Sequence, residues 1–200
     1  MSETKEFILN TAFGLFLQKN YKEVTMKEIV DKTGLSKGAF YHYFTSKEEL
    51  FREVIETVYF KNLVIDFKKI NAESLKQFYT RYLDYMMDNF QKMREKLMLP
   101  ESSVNINFIT ILFDAINLFP GFREELINAL REELEAWTSI IKTARSKGEF
   151  TSPMTDEQIA RMFIYSNDGI SLRLLIEGKL DKINSEMLTL WNNFYEELNN

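Results

Sequence analysis

The chain has 200 residues, 45% of them hydrophobic and 28% charged, the composition of an ordinary globular chain of one or two small domains. Zero cysteines exclude a disulfide framework, thiolate catalysis and cysteine-ligated zinc, and a single histidine argues against a histidine-rich metal site, so neither metal nor cofactor is expected. The net charge of -5 runs against a polyanion partner unless the basic residues are gathered in one place.

The longest uncharged run, Ser102 to Phe113, is 12 residues, short of the roughly 20 apolar residues a spanning helix needs. No secretory pattern follows Met1 to Glu6, so a cytoplasmic protein that keeps off the membrane is expected. Only 7 glycines and 3 prolines punctuate long apolar stretches at helical spacing, and the chain reads as all-α. The first helix covers about residues 3 to 19, with Ile8, Ala12, Leu15 and Phe16 as its buried stripe, and Asn20 suits a left-handed end. Thr25 caps a second helix, Glu28 reaching back to it, and Gly34 closes it. Ser36 caps a short third helix, Lys37 to Phe44; a further capping box, Ser46 to Glu49, opens a fourth that runs to about Lys69. Candidate helices then occupy about 73 to 98 (stopped before Pro100), 102 to 118, 121 to 147, 155 to 177 and 184 to 198. Thr155 and Gln158 cap the penultimate one, and Glu124, Glu125, Glu132, Glu133 and Glu135 read as a solvated face.

Residues 25 to 44 are therefore helix, the turn Gly34-Leu35-Ser36, and a short second helix, the dimensions of a helix-turn-helix. Phe40 and Phe44 lie at i, i+4 and face inward, toward Phe16 and Ile29, while Lys37, Gly38, Tyr41 and His42 share the other side. From Lys32 to Lys47 the chain carries Lys32, Lys37 and Lys47 and no acid, which gathers the basic charge the overall balance lacks.

These residues resemble the TetR/AcrR family of transcriptional regulators over about residues 8 to 50. Ile8, Ala12 and Phe16 match its first helix, Tyr21 and Thr25 the entry to the motif, Ile29, Gly34, Leu35, Ser36 and Gly38 the turn, and Tyr41, Phe44, Lys47 and Leu50 its close. The combination Tyr41-x-x-Phe44-x-x-Lys47-x-x-Leu50 after Gly34-Leu35-Ser36 is the specific part. The resemblance implies a helix-turn-helix DNA-binding domain over residues 1–48, joined to a helical regulatory and dimerisation domain over 49–200. It implies a homodimer on double-stranded DNA, a palindromic operator, and repression released by a small-molecule effector.

Geometry and resemblance together assign roles in the motif. Lys47 and Tyr41 are expected on phosphates, Thr25 and Ser36 as caps that double as phosphate contacts, and Lys37 and His42 as base readers. Gly38 permits close approach, and Tyr43 is open between packing on the fourth helix and touching the sugar-phosphate edge. In the remainder, Ile159, Phe163, Gly169, Ile170, Leu174, Met187, Trp191, Phe194 and Leu198 are the expected dimer contacts; Met162, Tyr165, Leu172 and Ile176 occupy other sides of the same helix. Tyr82, Met86, Phe90, Phe108, Leu112, Phe113, Trp137 and Ile141, with Asn105, Asn117 and Asn167 as polar groups, are the expected lining of a pocket for an apolar or planar effector. An enzyme is not expected, since no Glu-x-x-His pair and no Gly-x-Ser-x-Gly turn occurs. The remaining alternative is a helical protein-interaction module with a degenerate DNA-binding domain.

Overall fold

The computed structural model describes residues 2–97 and 106–199, and among these there is no strand. The helices are α1 (Glu3–Lys19), α2 (Met26–Thr33), α3 (Lys37–Tyr41), α4 (Lys47–Val54), α5 (Phe60–Leu63), α6 (Leu75–Lys96), α7 (Asn107–Leu118), α8 (Pro120–Ser146), α9 (Asp156–Glu177) and α10 (Ile183–Glu197). Pro100 and Asn105, singled out above, lie outside the described residues. No helix among the described residues is long and apolar enough to cross a membrane.

Packing divides the chain into two compact units, Met1–Val64 with Phe90–Glu125, and Ile65–Asn89 with Leu126–Asn200. This division is separate from the functional one expected after residue 48.

In the first unit α1 is the central element. It buries Ile8, Leu9, Ala12, Phe13, Leu15, Phe16 and Leu17, more than one stripe, because α2, α4 and α7 all pack on it. Asn20 ends it at φ 72°, with an extended ψ in place of the left-handed helical value; its Oδ1 holds the turn by accepting from the N–H groups of Lys22 (3.0 Å) and Glu23 (3.2 Å). α3 stops at Tyr41, short of Phe44, because the Tyr43 N–H returns to Phe40 O, three residues back, and tightens the end. α4 does not reach Lys69. After Val54 the chain passes through a π-helical turn, Ile55–Tyr59, in which the Phe60 N–H bonds to Ile55 O, and α5 ends at Leu63. Buried Tyr59 fastens this segment by donating its hydroxyl to Phe108 O at 2.7 Å.

The second unit is built on an aromatic core that contains both tryptophans of the chain. Trp137 stacks on Phe163 at 5.0 Å and meets Tyr82 and Trp191 edge-on at 5.2 and 5.4 Å. Glu149 caps the start of α6, accepting from the N–H groups of Leu75 and Lys76 and from the Tyr195 hydroxyl. Thr155 and Gln158 form the reciprocal capping box that starts α9.

Two readings of this unit are corrected. Ile159, Phe163, Leu174, Met187, Trp191 and Leu198 lie in the chain's own core and are unavailable to a second subunit; Ile170 and Phe194 pack against the same core. α9 is apolar on several sides, and the side chosen by spacing faces inward. Met162, Tyr165, Leu172 and Ile176 are the exposed ones. Glu133 also leaves the solvated face formed by Glu124, Glu125, Glu132 and Glu135: it is half-buried and accepts from the Tyr82 hydroxyl at 3.1 Å.

Burial pushes the Glu133 carboxyl up to about 7, and the nearby Asp168 charge pushes the same way, with Tyr82 opposing. A carboxyl raised on folding contributes stability below its unfolded value and loses it as pH rises through the folded one. Glu133→Gln should therefore gain stability over the unchanged chain as pH climbs from about 4.5 to about 7 in urea unfolding series. A difference independent of pH would contradict this.

Candidate nucleic-acid interface

The motif is set by local chemistry. Thr25 and Ser36 start α2 and α3, their hydroxyls accepting from the N–H groups of Glu28 (3.2 Å) and Ala39 (3.3 Å). The Glu28 carboxylate, expected to reach back in a capping box, accepts from Lys19 Nζ at 2.6 Å, which holds it below the usual range. Gly34 ends α2 at φ 68°, a left-handed value that suits glycine. The Thr33 hydroxyl, nearly buried, donates to Val30 O and accepts from the Leu35 N–H, which fixes the turn.

Phe40 and Phe44 are fully buried, as are Phe16 and Ile29, so the inward face forms as the i, i+4 spacing requires. On the opposite side Ser36, Lys37, Gly38, Tyr41 and His42 are exposed together, with Thr25 exposed at the start of α2. Tyr41 stands edge-on to Phe40 and is 43% exposed, so its ring is anchored and its hydroxyl reaches outward. Tyr43 is half-buried with its ring edge-on to His42 at 5.4 Å. Gly38 is not in the left-handed region, and a Cβ there would meet nothing within 4 Å. Nothing inside the chain therefore requires glycine at 38; what it supplies is a bare stretch of helix at the centre of the exposed face.

Lys47 departs from its expected role. Its Nζ donates to Tyr21 O and Val24 O, both at 2.8 Å, with Lys22 O at 3.5 Å, and lies 4.4 Å from the centre of the Tyr21 ring. Burial pushes the ammonium pKa down, with Asp114 opposing. The side chain ties the α1–α2 loop to the start of α4 and is not free for a phosphate. Glu49, completing the same helix start, reaches back to the Thr45 N–H and hydroxyl, both at 2.8 Å, while Ser46 accepts from the Glu49 N–H.

Of the eleven residues expected to line an effector pocket, the ten among the described residues divide between the units. Tyr82, Met86, Trp137, Ile141 and Asn167 belong to the second, where Tyr82, Trp137 and Ile141 share its core and the Asn167 amide donates to the Tyr82 hydroxyl at 3.4 Å. Phe90, Phe108, Leu112, Phe113 and Asn117 belong to the first. There Phe90 meets Phe108 edge-on at 6.2 Å, but Phe113 and Asn117 are exposed and line no interior. The sequence reading missed a cleft of about 170 Å³ in the first unit, beside the π-helical turn, where Arg52 lies over the Phe119 ring near Glu56 and Glu125.

A helix-turn-helix with one anchored face and one basic, hydroxyl-rich exposed face defines a DNA-binding protein. The model for "Bacterial regulatory proteins, tetR family" matches residues 8–54. Over 168 residues the chain is 27% identical to the uncharacterized HTH-type transcriptional regulator YfiR of Bacillus subtilis, covering 82% of this chain and 76% of that one. Over 174 residues it is 22% identical to the HTH-type transcriptional repressor KstR2 of Mycolicibacterium smegmatis, covering 84% and 78%. In fold it is similar to a TetR transcription regulator from Haloarcula marismortui, with a TM-score of 0.73 at 14% identity over 99% of both chains. Residues 8–54 match the tetR family of bacterial regulatory proteins, and the chain is a DNA-binding transcriptional regulator.

Two substitutions separate the clamp from the reading face. Lys47→Met leaves partly buried carbonyls unpaired and should cost about 1–3 kcal/mol in urea unfolding, while the salt dependence of duplex binding keeps its slope because no phosphate contact is lost. Gly38→Ala should raise stability by about 0.5–1 kcal/mol and yet weaken duplex binding if DNA approaches this face, because the added methyl would stand in its way. Equal or improved binding by Gly38→Ala would contradict the assignment of that face.

Proposed function

We propose that residues 1–48 are the DNA-reading part of a homodimeric repressor, that residues 49–200 carry dimerisation and regulation, and that a small-molecule effector releases the protein from a palindromic operator. The observation that carries this reading is the exposed face of α3, where Lys37, Tyr41 and His42 surround a glycine that packing does not demand. Lys37 and His42 donate to base acceptors in the major groove, Tyr41 donates to a phosphate, and Thr25 and Ser36 combine capping with backbone contact. The likeness to KstR2, named a repressor, supports the sign of regulation.

A single α3 reads few base pairs, so two copies are needed for a specific site. Support for a second copy comes from α9, where the exposed Met162, Tyr165, Leu172 and Ile176 continue through exposed Gly169 at alternating spacings of three and four, the pattern of a helix seam. Gly169 lets two backbones approach there, since a Cβ at that position would meet nothing within 4 Å of its own chain. Leu190 of α10 is exposed as well. Effector release requires unequal affinity for the DNA-bound and free states, and the π-helical turn after α4 lies in the segment that leads away from the reading helices.

Selection of bound duplexes from a random pool at fixed salt should return two-fold symmetric sites with half-sites about 34 Å apart. Lys37→Ala should relax preference at one position in each half-site, by about 1–3 kcal/mol. Recovery of no enriched sequence, with binding lost at low salt as well, would favour the protein-interaction module instead.

A further inference from the structure

In the second unit a set of hydrogen-bonding groups does not balance. Tyr82, 2% exposed, donates to Glu133 Oε1 and accepts from Asn167 Nδ2, which leaves the other Glu133 oxygen and Asn167 Oδ1 as acceptors, with Asp168 near enough for its charge to act on both Tyr82 and Glu133. Asn167 Oδ1 is buried without a partner. So is Nε1 of Trp137, a fully buried ring one turn along α8 from Glu133 and 5.2 Å from the Tyr82 ring. Two buried polar atoms without a partner thus fall on neighbouring residues of one cluster. No ion pair of the described residues uses Glu133 or Asp168. Buried polar atoms are normally satisfied, and one left over calls for a partner: water, an ion or a ligand.

Trp137 Nε1 apart, the surplus is of one kind. Two carboxylates and a bare amide oxygen call for N–H donors and positive charge, and the Tyr82 and Trp137 rings beside them add cation–π attraction. Glu133 and Asn167 are half-buried and Asp168 lies at the surface, so the cluster is open at one side. We propose that Tyr82, Glu133, Asn167 and Asp168, with Trp137, form a binding site for a small organic cation bearing N–H donors. The proposal rests on the effector-responsive reading above and gives that effector a chemical class. Burial raises the Asp168 carboxyl, as it does that of Glu133, and a bound ammonium or amidinium would relieve both. Trp137 Nε1 remains to donate to an acceptor on the same molecule.

Both tryptophans lie in this unit's core, so intrinsic fluorescence of the full chain reports on the site directly. Titration with benzylammonium, benzamidinium and the aliphatic diammonium putrescine should give a saturable change with at least one of them, and none with benzyl alcohol or benzoate. The first two against the third distinguish aromatic from aliphatic cations. Glu133→Gln and Asp168→Asn, each checked for native helicity, should weaken that binding by about tenfold or more. An equal response to benzyl alcohol, no saturable response to any cation, or binding indifferent to both variants would overturn the site. Duplex affinity measured in parallel separates the two ideas. Saturable cation binding that leaves the duplex bound upholds the site and defeats effector release. Intact duplex binding with no cation response defeats the site and leaves the regulator standing.

Discussion

One ammonium group holds the reading head together. Lys47 lies at the start of α4, yet its Nζ is spent on carbonyls of the loop between α1 and α2, above the ring of Tyr21. Without it that loop would end in backbone oxygens turned toward a partly buried positive-charge site with nothing to satisfy them. Tyr21 in turn packs at 4.4 Å on Phe51, and Phe51 at 5.0 Å on Phe16, so the clamp leads into the core of the first unit. A cation held by carbonyl dipoles and a ring bears a desolvation cost, visible in its lowered pKa. Arranging several neutral acceptors around it offsets that cost and fixes where α2 begins.

This division of labour explains how so short a helix as α3 can present a surface. Five residues cannot stabilise themselves as an isolated helix. Phe40, Phe44 and the Ser36 cap hold α3 from behind, and the Lys47 clamp and the Gly34 turn hold α2 beside it. The exposed side is then free to carry a lysine, an imidazole, a phenol and a glycine. In the second unit the reverse holds. Its aromatic core is buried, and beside Tyr82 it holds polar atoms without partners on Trp137 and Asn167.

The motif was legible because its determinants are local. Caps, the positive-φ glycine and the i, i+4 pair of phenylalanines are all read within a few residues of one another, and each was found where spacing put it. Lys47 was not legible, since its partners lie 23 to 26 residues upstream and nothing in its neighbourhood distinguishes an outward ammonium from one folded back. The inward and outward sides of α9 were exchanged for a related reason. A helix apolar on several sides does not say which of them meets its own core, and only the burial of Phe163 and exposure of Met162 decide it. Glu133 was hidden among acids of identical chemistry, its difference arising from Tyr82, 51 residues away. The π-helical turn, with Thr57 donating back to Glu53 O, left no mark in the hydrophobic period.

Lys47 holds the motif, and Lys37 is proposed to meet DNA. Amine-selective modification of the lysines, read by mass with and without a selected duplex, tests both roles most directly. Lys37 should react freely in the unbound protein and be protected by the duplex, whereas Lys47 should be slow to react in both states. Ready modification of Lys47 in the unbound protein, with protection only when DNA is present, would contradict it.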